Sequence, residues 1–262
     1  MYNIMHLSQQ DLLISLVTLS IIAALLSYFA VYKKWLTSMG AAAASTMAFV
    51  FYFTGGYKAF IAPGIFFITG SLLSRLNENK KEKHGRNAKQ VFANGLTGAI
   101  FMILYRATGQ NIYLITAIVS FSISMADTVS SEVGIYFKGA TYDILLFKKM
   151  IPGLSGGVSL QGTLAGLAGA IFLSAIAGYF YHFSIASIFL IACAGFTGMM
   201  TDSLLGSWLQ AKYRSADGII TEDALPDAQL IKGLKWCTND IVNIISNILI
   251  TLLFFCFFIQ IQ

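Results

Sequence analysis

The chain has 262 residues, of which 56% are hydrophobic and 11% charged, with a net charge of +5. Soluble domains carry roughly a quarter of their residues as charged side chains, so this composition, with its apolar residues in long blocks, excludes an ordinary soluble domain and points to the membrane class. The positive charge needs no nucleic-acid partner, because the basic residues sit in loops between apolar runs. The three cysteines, Cys193, Cys237 and Cys256, have no metal-site or disulfide-framework spacing.

In chain order, the opening MYNIMHLSQQ has no basic stretch and no small-residue cleavage site, so the first apolar run is expected to stay as an uncleaved helix. Eight runs approach or reach the roughly 20 residues that a membrane span needs. They lie near 11–32, 38–54, 58–74, 90–106, 112–127, 158–180, 184–208 and 238–259. The expected fold is an all-α polytopic bundle of about eight helices, packed through small residues, as a single domain over 1–262. Two long loops, 127–157 and 209–237, join its elements, and the mixed-charge segment 75–89 reads as a solvated connector.

Lys and Arg orient the bundle. With both termini outside, all but two of the 17 basic residues, Lys58 and Arg106, fall on the inner side. The expectation is a multi-pass protein of a bacterial-type cytoplasmic membrane, with both long loops in the cytoplasm.

Five polar groups interrupt this apolar background. In Asp127-Thr-Val-Ser-Ser131-Glu132-Val-Gly134, positions 127, 131 and 134 share one helical face. A carboxylate at the end of an apolar helix needs a cation or a donor, and Mg²⁺ is the ion suited to one or two carboxylates plus phosphate oxygens. The segment Lys148-Lys149-Met-Ile-Pro-Gly153-Leu-Ser155-Gly156-Gly157 leads into a helix N-terminus. Lysines, a glycine turn and a helix start make an anion site on physical grounds. It is not a Walker A loop, and the formal G-x-S-x-G match lacks the strand and histidine of a nucleophile elbow.

Gly198, Asp202 and Gly206 recur every fourth residue, a close-packing face that carries a carboxylate. Asn239, Asp240, Asn243 and Asn247 open the last helix, the last three as a polar stripe that must face protein or water. Arg86, Gln90, Asn94 and Gly98 follow each other at four-residue spacing, with Arg86 a phosphate fork. The stretches Met125-Ala-Asp127-Thr and Met200-Thr-Asp202-Ser echo one another, as parallel repeats would. On the expected topology all five groups lie at one membrane face. That one-sidedness suits metal-assisted phosphoryl transfer on a lipid phosphate, where catalysis is positioning and charge neutralisation.

The stretches GRNAKQVFANG (85–95), ADTVSSEVG (126–134), FKK with PGLSGGVSLQGTLAG (147–166), TDSLLGSWLQ (201–210) and KWCTNDIVN (235–243) make the chain similar to the transmembrane protein 19 / phytyl-phosphate kinase family. The PG-x-x-GG element more distantly resembles CTP-using membrane enzymes such as dolichol kinase and CDP-diacylglycerol synthase. The resemblance implies an integral membrane kinase that converts an isoprenoid monophosphate to the diphosphate with a nucleoside triphosphate, CTP favoured, and Mg²⁺.

On that reading Asp127, Lys149 and Asp202 are catalytic, and Asp127, Glu132, Asp202 and Asp240 hold the metal. Arg86, Lys148, Lys149, Gly153, Ser155, Gly156 and Gly157 bind the nucleotide or phosphate, and Asn94, Ser131, Asn239 and Asn243 the lipid substrate. The partners are an isoprenoid lipid phosphate and membrane lipids. Two other functions fit the same residues: a lipid-phosphate transporter or flippase, and a CTP-dependent cytidylyltransferase. A transporter needs a polar route to the outside, where only Lys58 and Arg106 lie.

Overall fold

Among the described residues, 9–77 and 85–260 of this computed structural model, the chain is a bundle of long helices with two small sheets at one end. The expected first helix is present from residue 9; the MYNIMHLSQQ reading falls mostly on residues 1–8 and part of the 75–89 connector on 78–84, both outside the described residues. The helices are α1 (Gln9–Tyr32), α2 (Ser38–Gly55), α3 (Ile61–Leu76), α4 (Ala88–Thr108), α5 (Asn111–Phe137), α6 (Leu160–Tyr181), α7 (Ile185–Trp208) and α8 (Asn239–Gln260). Among the described residues, seven apolar segments are long enough to cross a membrane, one of them the 39-residue run Ser38–Leu76. That run is two antiparallel helices, α2 and α3, parted by one turn of 3-10 helix at Gly56–Phe60. Gly56, at φ 65°, takes the left-handed backbone that the reversal requires.

Contacts along the helices define two ends. At the far end, Gly55 lies against Met102 and Lys58 Nζ donates to Phe180 O. At the other, here the site end, residues 34–37 run beside 85–87: Arg86 N donates to Trp35 O (2.9 Å) and Thr37 N to Arg86 O (3.1 Å). Arg75 donates to Lys33 O there too. The helices therefore alternate in direction as the basic residues require.

Helix α5 is the hub, packed by α3, α4, α6, α7 and α8. A helix buried on every side is apolar on every side, and α5 is buried almost without a break from Leu114 to Ala126. Lipid gives no hydrophobic drive for helices to associate, so close approach through small residues does the packing. A Cβ at Gly166 would come within 2.9 Å of Ala126 O, and one at Gly162 within 2.9 Å of Ser130 O. The outer helices turn Leu13, Ile14, Leu25, Phe189 and Leu253 outward.

Two expectations are corrected here. Helix α5 does not end at residue 127 but runs ten residues further, to Phe137. Its polar segment keeps helical spacing, with Glu132 turned to Ser74 and Asn77 and Gly134 packed beside Gly162 of α6. The 209–237 loop is folded: β3 (Lys212–Arg214) pairs antiparallel with β4 (Ile220–Thr221) and β5 (Gln229–Lys232). In the preceding connection β1 (Tyr142–Asp143) pairs with β2 (Gly157–Val158).

Candidate functional site

Asp127, on α5, and Asp202, on α7, lie close enough for their charges to interact. These are the two positions of the sequence echo. Asp202 is 9% exposed. It is braced by α8: Ser246 Oγ donates to Asp202 Oδ2 (2.8 Å), and the Asn243 amide, oriented with Nδ2 inward, donates to the same oxygen (3.0 Å) and to Asn239 O (3.1 Å). Asp127 is half-buried and takes no hydrogen bond or ion pair among the described residues. Two carboxylates so placed repel unless a positive charge lies between them. One turn deeper, Asn247 closes the site floor: its Nδ2 donates to Ser120 O (2.9 Å) and Ser124 Oγ (3.1 Å), and its Oδ1 accepts from Ser120 Oγ (2.9 Å).

The remaining proposed ligands are arranged differently. Among the described residues no three His, Cys, Asp or Glu side chains group closely enough to hold a metal ion. Glu132, five residues beyond Asp127, is turned to α3, where Ser74 Oγ and Asn77 Nδ2 donate to it. Asp240, half-buried, lies within electrostatic reach of Lys89. Ser131 is exposed, and Asn94 Nδ2 donates to Gln90 O in its own helix (2.8 Å) while its carbonyl accepts from Ser124 Oγ (3.2 Å). The expected Arg86–Gln90–Asn94 stripe is interrupted, because Asn87 caps α4 in a reciprocal pair with Gln90 and leaves Arg86 outside the helix.

The glycine turn seats on the end of α7. Gly153 (φ 92°) and Gly156 (φ 82°) have left-handed backbones, and a Cβ at Gly156 would strike Ser207. The turn's anion-binding groups already have a protein partner. Ser155 N and Oγ donate to the Glu222 carboxylate, which also accepts from Gln210 Nε2 (2.8 Å). Lys212 Nζ donates to Ser155 O (2.7 Å), and Ser155 Oγ reaches Asn239 Oδ1 (3.3 Å). Burial, and then the charge of Lys232, hold the Lys212 ammonium below its ordinary pKa. Lys148 and Lys149 are exposed beyond this cradle, and the N-terminus of α6 is capped by Ser159.

A second polar junction ties the sheets together. Asp143 accepts from Ser207 Oγ (2.6 Å) and from Leu145 N and Leu146 N (3.0 Å each), and pairs with Lys232 (3.4 Å). Burial works against its charged form, but these donors and Lys232 outweigh it and hold the carboxyl at about 2. Glu222, Gln210, Lys212, Asp143 and Lys232 were not singled out from the sequence. They are isolated polar residues in two loops without period, Asp143 in the first and the others in the second, and strand pairing brings them to the turn. A groove of about 520 Å³ between α1 and α2 is lined by Ser27, Val31, Ala41 and Phe49 among others, none of them a residue of the carboxylate pair.

Fold and site together define a polytopic membrane protein with a carboxylate pair and a braced glycine turn at one end. Integral membrane protein family DUF92 matches residues 21–251, and the chain belongs to that family, the one to which transmembrane protein 19 and phytyl-phosphate kinase are related. It is 32% identical to the uncharacterized membrane protein MJ0933 of Methanocaldococcus jannaschii over 213 residues, 79% of this chain and 89% of that one. It is 25% identical to chloroplastic protein VTE6 of Arabidopsis thaliana over 80% of this chain and 62% of that protein. With protein PGR of the same plant the identity is 27%, over 89% and 93% of the two chains. No solved structure matches.

Proposed function

We propose that the chain is a nucleoside-triphosphate-dependent kinase of isoprenoid monophosphates, working at the cytoplasmic face. The observation that carries this is the Asp127–Asp202 pair, brought together from α5 and α7 beside the glycine turn, in a chain of this family. An apolar bundle holds a lipid tail, and the pair lies in the half of α5 and α7 nearer the site end, within reach of the phosphate of a membrane-dissolved lipid.

The two carboxylates fit Mg²⁺, which takes one or two carboxylates and completes its shell with water and phosphate oxygens; a full protein cage is not required. When bound there, the ion would neutralise charge on the transferring phosphoryl group. Asp127 and Asp202 would hold it, with Ser246 and Asn243 fixing the Asp202 carboxylate in direction. Nucleotide phosphates would replace the Glu222 carboxylate on Ser155 N and Oγ, next to Lys212, with Lys148 and Lys149 drawing the anion from solution. In the transfer an oxygen of the lipid phosphate bonds to the terminal phosphorus, the bridging P–O bond breaks, and nucleoside diphosphate leaves with the electron pair.

Purified protein is expected to consume nucleoside triphosphate only when an isoprenoid monophosphate is supplied, CTP best, with diphosphate lipid and nucleoside diphosphate as products. Asp127→Asn is expected to lose this by about a thousand-fold or more, as loss of an electrostatic centre does, while eluting as wild type. Release of pyrophosphate would instead make the protein a cytidylyltransferase. No turnover across geranyl to undecaprenyl monophosphates with all four nucleotides would overturn the proposal.

A further inference from the structure

Four buried side-chain polar atoms have no hydrogen-bond partner among the described residues, and three of them, Trp35 Nε1, Ser71 Oγ and Arg86 Nη1, belong to one corner of the bundle. The corner is where residues 34–37 and 85–87 run together against α3. The Trp35 ring meets the Phe67 ring (5.9 Å between centroids) and the Arg75 guanidinium (5.3 Å). Phe67, Ser71 and Arg75 are spaced by four, so they share the α3 face that the Trp35 ring covers. Arg86 is joined to Trp35 through the backbone, and its guanidinium lies over the Phe66 ring at 5.3 Å.

Room for this arrangement is made by three glycines. A Cβ at Gly40 would strike the Arg86 carbonyl, one at Gly85 the backbone of Trp35 and Leu36, and one at Gly70 the guanidinium itself. Arginine stays charged when buried, and an unpaired donor of that charge is among the costliest groups to leave without a partner. Burial pulls its pKa down, and the charge of Glu132 partly restores it. The Glu132 oxygens meanwhile accept from Ser74 and Asn77.

We propose that this corner binds the phosphate monoester of a lipid. The Arg86 Nη1 group, the Ser71 hydroxyl and the Trp35 indole N–H leave donors for the three terminal oxygens of a monoester, one more than a carboxylate presents. The lipid follows from the walls: Phe66, Phe67 and Trp35 are apolar, and α3 continues toward the membrane through the exposed Ile68 and Leu72. That this phosphate is the acceptor of the transfer rests on the kinase reading; the site itself does not.

Binding is measured without nucleotide. The double variant Trp208→Phe, Trp236→Phe leaves Trp35 as the sole tryptophan, and its emission is followed in phosphatidylcholine nanodiscs. Farnesyl monophosphate is expected to shift it saturably and farnesol not at all. Arg86→Gln is expected to weaken binding about ten- to hundred-fold, the loss of a charge-assisted hydrogen bond. Gly70→Ala is expected to act in the same direction by displacing the guanidinium, and Ser71→Ala, which disturbs no packing, to weaken binding about three-fold or more.

Saturation by phosphatidate as tight as by farnesyl monophosphate would support the site with a bilayer headgroup as its source. A preference for farnesyl monophosphate would support it with the isoprenoid. Equal response to farnesol, inorganic phosphate binding as tightly as either lipid, or unchanged binding in both Arg86→Gln and Ser71→Ala would overturn it. Saturable binding without any nucleotide turnover would sink the kinase reading and leave this one standing.

Discussion

Asn247 and Asp202 show how differently two polar residues of apolar helices are used. Asn247, 2% exposed, spends both ends of its amide on Ser120 and Ser124, joining α8 to α5. It completes a closed network, which in the membrane contributes of order 1 kcal/mol. Asp202 has two donors on one oxygen and a second carboxylate near it, an arrangement that fixes the carboxyl in direction without closing a network. Asn247→Ala is therefore expected to lower stability in detergent by about 1–2 kcal/mol and leave ligand affinity at the carboxylate pair within a few-fold of wild type. Thermal unfolding and binding, measured on the same sample, check this. Both residues lie in polar segments that stand out in the sequence. Their roles do not, since a stripe of Asp, Asn and Ser reads alike whether it meets other helices or a ligand.

At the scale of elements, helix positions were largely legible. The eight expected runs agree with α1–α8 to within three residues at most ends, because apolar length and glycine breaks are local properties. The end of α5 was misjudged for a physical reason: hydropathy falls at Asp127, but helix formation depends on the 3.6-residue period, which continues to Phe137. The sheet in 209–237 was missed because its strands are two to four residues long and hold together only by pairing across the loop. That sheet, with Glu222, Lys212 and Gln210, braces the glycine turn.

The junction of β1, β5 and α7 at Asp143 carries a pH dependence. Its carboxyl titrates at about 2 in the fold, against roughly 3.9 in an unfolded chain. The pKa is depressed by folding, so the stabilisation is full above the unfolded value and is lost as pH falls from roughly 4 toward about 2. Asp143→Asn is expected to unfold at lower temperature than wild type at pH 6 and to match it more nearly at pH 2.5, as measured by thermal scans in detergent.

For the whole molecule, the alternation of basic residues and the contacts at the two ends agree on how the helices run. The expected sidedness gives a direct check. A cysteine at Asp217, in the folded loop of the site end, is expected to react with a membrane-impermeant maleimide only in inverted vesicles. One at Gly109, at the far end, is expected to react in intact cells, in a background with Cys193, Cys237 and Cys256 replaced. The reverse pattern would place the site outside and remove nucleotide as a substrate.

Membrane insertion, the number and place of the helices, and the gathering of polar residues at one end follow from the sequence by itself. Each depends on composition or spacing within some twenty consecutive residues. Which of those polar residues meet was decided only by tertiary structure. Asp127 comes within electrostatic reach of Asp202 while Glu132, on the same helix, accepts from Ser74 and Asn77, and Arg86 is set against Gly70 by pairing of the segments before α2 and after α3. The rotation of α6 and α7 against α5 is fixed by close packing at Gly162, Gly166 and Gly198, and no local stretch of sequence encodes it.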